Sequence, residues 1–149
     1  KLNTMAHEGQ KIKGKLWQLQ LKEGAGSYLT VICEKDMGIN QSTAVTDANS
    51  KCGEDSAPGN ATRTIAGTGY LIQEPNVGAT EASLKELQAW FDASTSLLFK
   101  FGKMTPTTGD LVYSGNAWIS QLDVTANTED YIQFSFTGQL SAVVLTETA

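Results

Sequence analysis

The first clear pattern along the chain is Lys15–Leu21, where Trp17, Leu19 and Leu21 alternate with Gln18 and Gln20. Period two predicts a half-buried strand. Glu23-Gly24-Ala25-Gly26-Ser27 reads as a hairpin turn, and Tyr28–Glu34, rich in β-branched and aromatic residues, as the returning strand. The pattern then breaks. Lys35–Asn60 holds many Gly, Asn, Asp and Ser residues and only scattered apolar ones, Met37, Ile39 and Val45 among them. That composition predicts a long loop, and loops of this length are functional or flexible. A strand resumes over Arg63–Ile72, with Gly67 and Gly69 suggesting a bulge or a close backbone approach, and Pro75 ends it.

Thr80–Asp92 is the one convincing helix. Leu84, Leu87, Trp90 and Phe91 share a stripe, Thr80 offers an N-cap, and Ser83 with Glu86 offers a later capping-box start. Further strands are expected over Ser96–Gly102, Leu111–Val124 (interrupted by Gly115), Tyr131–Leu140 and Ala142–Leu145, with turns at Thr105–Asp110 and Ala126–Asp130. The sharpest alternation is in Tyr131–Leu140: Ile132, Phe134 and Phe136 face one way, and Gln133, Ser135, Thr137 and Gln139 the other. About seven strands, one helix and one long loop predict a mainly-β fold. The expected form is two packed antiparallel sheets, a β-sandwich or small barrel, with a flanking α-helix.

Composition narrows the function. The 149 residues suit one domain, and no window approaches the ~18 apolar residues of a membrane helix. A net charge of −5 leaves the chain without the basic footprint of an ordinary nucleic-acid binder. Charged residues are only 18%, and hydroxyls and amides fill their place, seventeen of them threonines suited to pleated surfaces. No export signal is read in the first residues, and whether Met5 or Lys1 is the natural start stays open.

Candidate chemistry is sparse. His7 is the only imidazole and lies in a polar stretch before the first strand, so no nucleophile–base pair is built from it. Cys33 reads as core and Cys52 as a loop thiol, with their pairing left open. The acids Asp36, Asp47, Glu54 and Asp55, and Glu129 with Asp130, read as solvated loop charges. Asp47–Gly53 departs from a calcium loop: Lys51 replaces an oxygen ligand and Pro58 stands where a bidentate Glu is needed. Gly67-Thr68-Gly69 lies inside a strand with no helix directly after it and is no dinucleotide fingerprint. The sequons at Asn40 and Asn60 have no export signal to support them. The chain is therefore expected to be no enzyme and to need no metal or cofactor.

The C-terminal third carries a resemblance. Tyr113-Ser114-Gly115-Asn116-Ala117-Trp118-Ile119-Ser120, then Leu122–Asp130, then Tyr131–Gly138 resembles the major tail tube proteins of long-tailed bacteriophages, over about 25 residues by pattern and most of the chain by layout. The resemblance implies a structural subunit in the virion tail, made in the host cytoplasm. Six copies would close into a ring, and rings would stack into a tube that conducts double-stranded DNA during ejection. Terminator, tape-measure and baseplate or tip proteins would be its partners, with no membrane. It places Gln133, Ser135 and Thr137 on the lumen. The long loop Lys35–Asn60 would pass between subunits, with Met37, Ile39 and Val45 as anchors, and residues 1–14 would form a flexible arm. Lys11, Lys13 and Lys15 are then expected at a ring junction or outer surface. Two other readings compete: the inner tube of a contractile injection or type VI secretion system, and a β-sandwich carbohydrate-binding module. The second would need a sugar platform, for which Trp118 is the candidate because Trp17 and Trp90 sit on apolar faces.

Overall fold

The structure, a computed structural model, describes residues 12–31, 34–47, 53, 56–72 and 78–149. His7, Lys11, Cys33, Cys52 and Pro75 lie outside these residues. A short 3-10 turn, Gly14–Leu16, leads into β1 (Trp17–Glu23), followed by β2 (Leu29–Val31), β3 (Glu34–Asp47), β4 (Ser56–Tyr70) and β5 (Glu81–Ala82). Then come α1 (Leu84–Asp92), β6 (Leu97–Lys103), β7 (Leu111–Thr125) and β8 (Gln133–Glu147).

The architecture corrects the sandwich expectation. Among the described residues eight strands belong to one mixed sheet, in the order β3-β4-β8-β7-β6-β1-β2-β5, in which only the β2–β5 pair is parallel. Chain length forces this sheet to curl. Val31 ends β2 and Glu34 begins β3, so at most ~11 Å of chain separates them. Six places apart in a flat sheet they would stand ~29 Å apart. The sheet therefore rolls into an incomplete barrel. Its mouth is a cavity of about 990 Å³, with Trp17, Val31 and Phe101 on one side and Asp36 and Met37 on the other.

The concave face holds the core. Leu19 and Leu21 of β1 stand opposite Phe101 and Phe99 of β6, and Ala117, Ile119, Phe134, Phe136 and Ile65 continue the apolar surface across β7, β8 and β4. Helix α1 closes it with Leu87 and Trp90, which are buried, while Phe91 at the edge of the stripe is partly exposed. The indole N–H of Trp90 donates to Glu23 at 3.0 Å, tying helix to hairpin. Of the two cap positions offered by the sequence, the helix uses the later. The Ser83 hydroxyl accepts from the Lys85 amide, and Glu86 Oε1 accepts from the Ser83 amide at 2.8 Å. The helix ends in a Schellman arrangement, Thr95 N–H to Trp90 O and Ser94 N–H to Phe91 O, with Ser94 at φ 50°.

Two further differences concern β3–β4 and β8. Lys35–Asn60 is not a loop: most of it is paired strand, from Asp36 opposite Thr68 to Asp47 opposite Ser56. The segments expected at Tyr131–Leu140 and Ala142–Leu145 are one strand, β8, bent where Ala142 takes φ 51° against Gly115 of β7. A Cβ on Gly115 would come 2.7 Å from the Ala142 carbonyl oxygen, so glycine permits the close approach.

Candidate functional site

The convex side of β3, β4, β8 and β7 is the most unusual surface. Strand alternation puts Phe134 and Phe136 into the core and turns Gln133, Ser135 and Thr137 outward together, each half-buried. Register supplies their neighbours. Ser135 lies between Thr68 of β4 and Asp123 of β7, Thr137 between Ala66 and Gln121, and Gln133 between Tyr70 and Thr125. On the far side of β4, Asp36, Gly38 and Asn40 of β3 stand opposite Thr68, Ala66 and Thr64. A shallow groove of about 430 Å³ runs across these strands.

Its chemistry is that of amides and hydroxyls with two carboxylates. Gln121 donates to Asp123 Oδ2 at 2.8 Å, and Gln139 donates to Ser120 Oγ at 3.2 Å. Ser120, the bulge residue of β7, donates in turn to the Thr137 carbonyl at 3.1 Å. Thr68 Oγ1 is enclosed without a hydrogen-bond partner. Among the described residues no lysine or arginine lines the groove; Lys35, next to Asp36 in β3, holds its ammonium 6.0 Å from the centre of the Tyr70 ring. Among the described residues no group of His, Cys, Asp and Glu could hold a metal ion. The surface can hydrogen-bond weakly to many things, and its acids, Asp36 and Asp123, repel anions.

The same strands present unpaired edges. Among the described residues strand β3 has a partner only in β4. Strand β7 has β6 alongside it only from Tyr113 to Ala117, so Trp118–Thr125 is open on the side away from β8. Strand β4 pairs with β8 only from Thr64 to Tyr70. Beyond Thr64 the β3–β4 ribbon projects as a two-stranded arm about 25 Å long at ~3.3 Å per residue. Apart from half-buried Arg63, its residues are exposed on both faces where burial is described. An isolated two-stranded ribbon is marginal in water, and long uncharged edges invite pairing with another chain.

The structure separates the three candidate anchors. Met37 and Ile39 are half-buried against the domain's own core, Met37 lying close over Gly67, whereas Val45 stands on the arm, 67% exposed. The tryptophans divide similarly. Trp90 is buried, Trp17 packs edge-on against Phe101 and Tyr113, and Trp118 is 48% exposed on the convex face. Which strand edges stay open is not legible in the sequence, because pairing partners leave no mark in a single strand's pattern. The uncharged run Ile39–Thr46 was the available signal.

No protein-family model matches the chain, and no curated protein sequence matches it. Solved structures do. The SPP1 tail tube superposes with a TM-score of 0.73 at 14% identity, covering 93% of this chain and 80% of that one. The tail of an empty GTA particle, refined with C6 symmetry, gives 0.64 at 18% identity over 93% of this chain and all of the other. The sheath–tube complex of PVC, an extracellular contractile injection system, in its extended state gives 0.62 at 12% identity over 99% and 100%. The chain thus has the fold seen in phage-type tail tubes and injection-system tube assemblies.

Proposed function

We propose that the protein is the structural subunit of a phage tail tube, closing into hexameric rings that stack around a lumen for double-stranded DNA. The observation that carries this reading is the convex β3–β4–β8–β7 face, whose groove has no cation among its described lining residues and which is bounded by two open strand edges, in a fold shared with the SPP1 tail tube. The open edge of β7 in one copy can take β3 of the next in antiparallel pairing, a heterologous contact that closes into a ring. Six copies giving four strands each make a barrel of about 24 strands, about 115 Å around at ~4.8 Å per strand. That is about 37 Å across the backbone before strand tilt widens it. Lined by short polar side chains, such a bore admits a nucleic-acid duplex.

The lining suits passage. Lysine and arginine hold phosphates by releasing counterions, so a conduit that keeps them off its wall lets DNA slide. Asp36 and Asp123 add repulsion, and Gln133, Ser135 and Thr137 leave no charged grip. Tape-measure, terminator and baseplate or tip proteins would meet the tube's interior and ends, and the assembly would reside in the virion tail after synthesis in the host cytoplasm. The inner tube of a contractile injection system is the second reading, favoured by the likeness to the PVC sheath–tube complex, whose alignment covers the larger share of this chain. Substituting Thr137→Lys tests the DNA reading. Tubes of normal width with impaired DNA delivery are expected, and undiminished delivery from such tubes would reject this face as the lumen.

A further inference from the structure

Met104, the first residue after β6, has two side-chain donors aimed at its sulfur. Its Sδ accepts from the Thr30 hydroxyl at 3.2 Å and from the Gln20 side-chain amide at 3.4 Å. The donors are a cross-strand pair, Gln20 of β1 directly opposite Thr30 of β2. They therefore stand side by side on one face, the face away from Leu19 and Leu21. Thr30 is only 9% exposed, and among the described residues its hydroxyl has no other side-chain bond. A buried hydroxyl ordinarily meets a strong acceptor, and a thioether is a weak one. The donor pair is thus better matched to an oxygen than to the sulfur it holds.

Access to the sulfur is one-sided. Met104 is 48% exposed, and its contact with Gln20 lies at the surface. The contact with Thr30 is partly buried, so that side of the sulfur is closed by β2. Met37 differs: it is half-buried against the core, with its sulfur packed over Gly67. A small oxidant from solvent therefore reaches Met104 before Met37, and reaches it from the Gln20 side.

We propose that Met104 is a site of reversible oxidation by hydroperoxides, at which Gln20 and Thr30 receive the sulfoxide. A sulfur lone pair attacks the terminal peroxide oxygen. The S–O bond forms as the O–O bond breaks, and the proton of the attacked oxygen passes to the departing one. Sulfur is oxidised by two electrons, and the peroxide is reduced to water or an alcohol. Attack from the open side makes one sulfoxide epimer in excess, because the Thr30 side is shut. The new oxygen emerges where the Gln20 amide already points, and it accepts that N–H more strongly than the thioether did. Oxidation of a methionine ordinarily puts a polar group where an apolar one packed. Here it tightens the tie between the end of β6 and the β1–β2 hairpin. Neither the oxidation nor its stereochemistry depends on the tube.

The test treats the full chain with hydrogen peroxide and follows each methionine by peptide mass spectrometry. Met104 is expected to gain its oxygen while Met37 is still intact. Methionine sulfoxide reductases A and B each act on one epimer, so one of the two is expected to return most of the Met104 sulfoxide to thioether and the other little of it. Protein oxidised at this stage is expected to unfold at a urea midpoint about 0.5 M higher than untreated protein, the gain of one improved hydrogen bond. Gln20→Leu, which removes the surface donor and keeps the bulk, is expected to lose that gain while keeping the single epimer. Met104→Leu is expected to show no midpoint change at the same peroxide dose. Oxidation of Met37 first, equal amounts of the two epimers, or an oxidised wild type no more stable than the untreated protein would each overturn the proposal.

Discussion

Removing Phe136 tests the two-faced strand on which the functional reading depends. Its side chain is 3% exposed and stands between Gly67 of β4 and Leu122 of β7, on the core face with Phe134 and Ile119. Glycine on one side means that no neighbouring side chain can relax into the space from that strand. Phe136→Ala therefore belongs at the usual cost of a phenylalanine cavity, about 3–5 kcal/mol. That is a large share of the roughly 5–15 kcal/mol holding a domain together. Thr137→Ala, one residue on and facing the other way, removes a half-buried hydroxyl with no hydrogen bond among the described residues, and should cost within ~0.5 kcal/mol. The assay is urea unfolding of both variants and wild type at protein concentrations too low for assembly, since association adds stability by mass action. With a slope of about 2 kcal/mol per molar urea, Phe136→Ala should lower the midpoint by about 2 M and Thr137→Ala by less than about 0.3 M. Equal shifts for the two would refute the alternation of β8, and with it the assignment of Gln133, Ser135 and Thr137 to one outward face.

Other consequences follow from particular contacts. Ser83→Ala removes the hydroxyl half of the capping box and should cost about 1 kcal/mol in a thermal or urea melt. Ser94→Gly relieves a left-handed serine at the helix end and should stabilise by about 0.5 kcal/mol. The Thr107 amide and then the Lys103 ammonium, bonded to Asp110, hold its carboxyl below the ordinary value of 3.8. This contact stabilises the fold above that ordinary value and is lost as pH falls through the lowered one. Asp110→Asn should flatten the acid side of a melting-temperature profile, and an unchanged profile would count against the contact. Amide hydrogens of Asn40–Asp47 should exchange quickly in the monomer and slowly in assembled tubes, and equally fast exchange in both states would deny the arm a docking role.

Much of the fold is legible in the sequence where one face of an element is buried. Leu19 and Leu21 in β1, Phe134 and Phe136 in β8, and Leu87 and Trp90 in α1 announce themselves by period, and the structure buries all six. The signal fails where neither face is buried. From Asn40 outward the β3–β4 arm has no core to point at, so its residues show no alternation, and small polar side chains that read as loop form a long ribbon. Sheet count is invisible for another reason. A strand's pattern reports which face is buried but not which strand lies alongside, so one curled sheet and two packed sheets leave the same trace. Only the short Val31–Glu34 connection, seen together with the strand order, shows the curl. The polar row Gln133, Ser135, Thr137 was legible as a row. Its continuation by Thr68, Asp123 and Gln121 required the register. Met37 and Ile39 stood out as apolar residues in a polar stretch, and the core of their own domain is what they meet.

The most direct measurement of the central claim is a cryo-electron microscopy reconstruction of the purified protein, assembled over a concentration series. The account predicts tubes of uniform width built from sixfold rings, with a continuous β wall whose inner surface carries Gln133, Ser135 and Thr137. Monomers at every concentration, or a tube with these three residues on its outer wall, would contradict it.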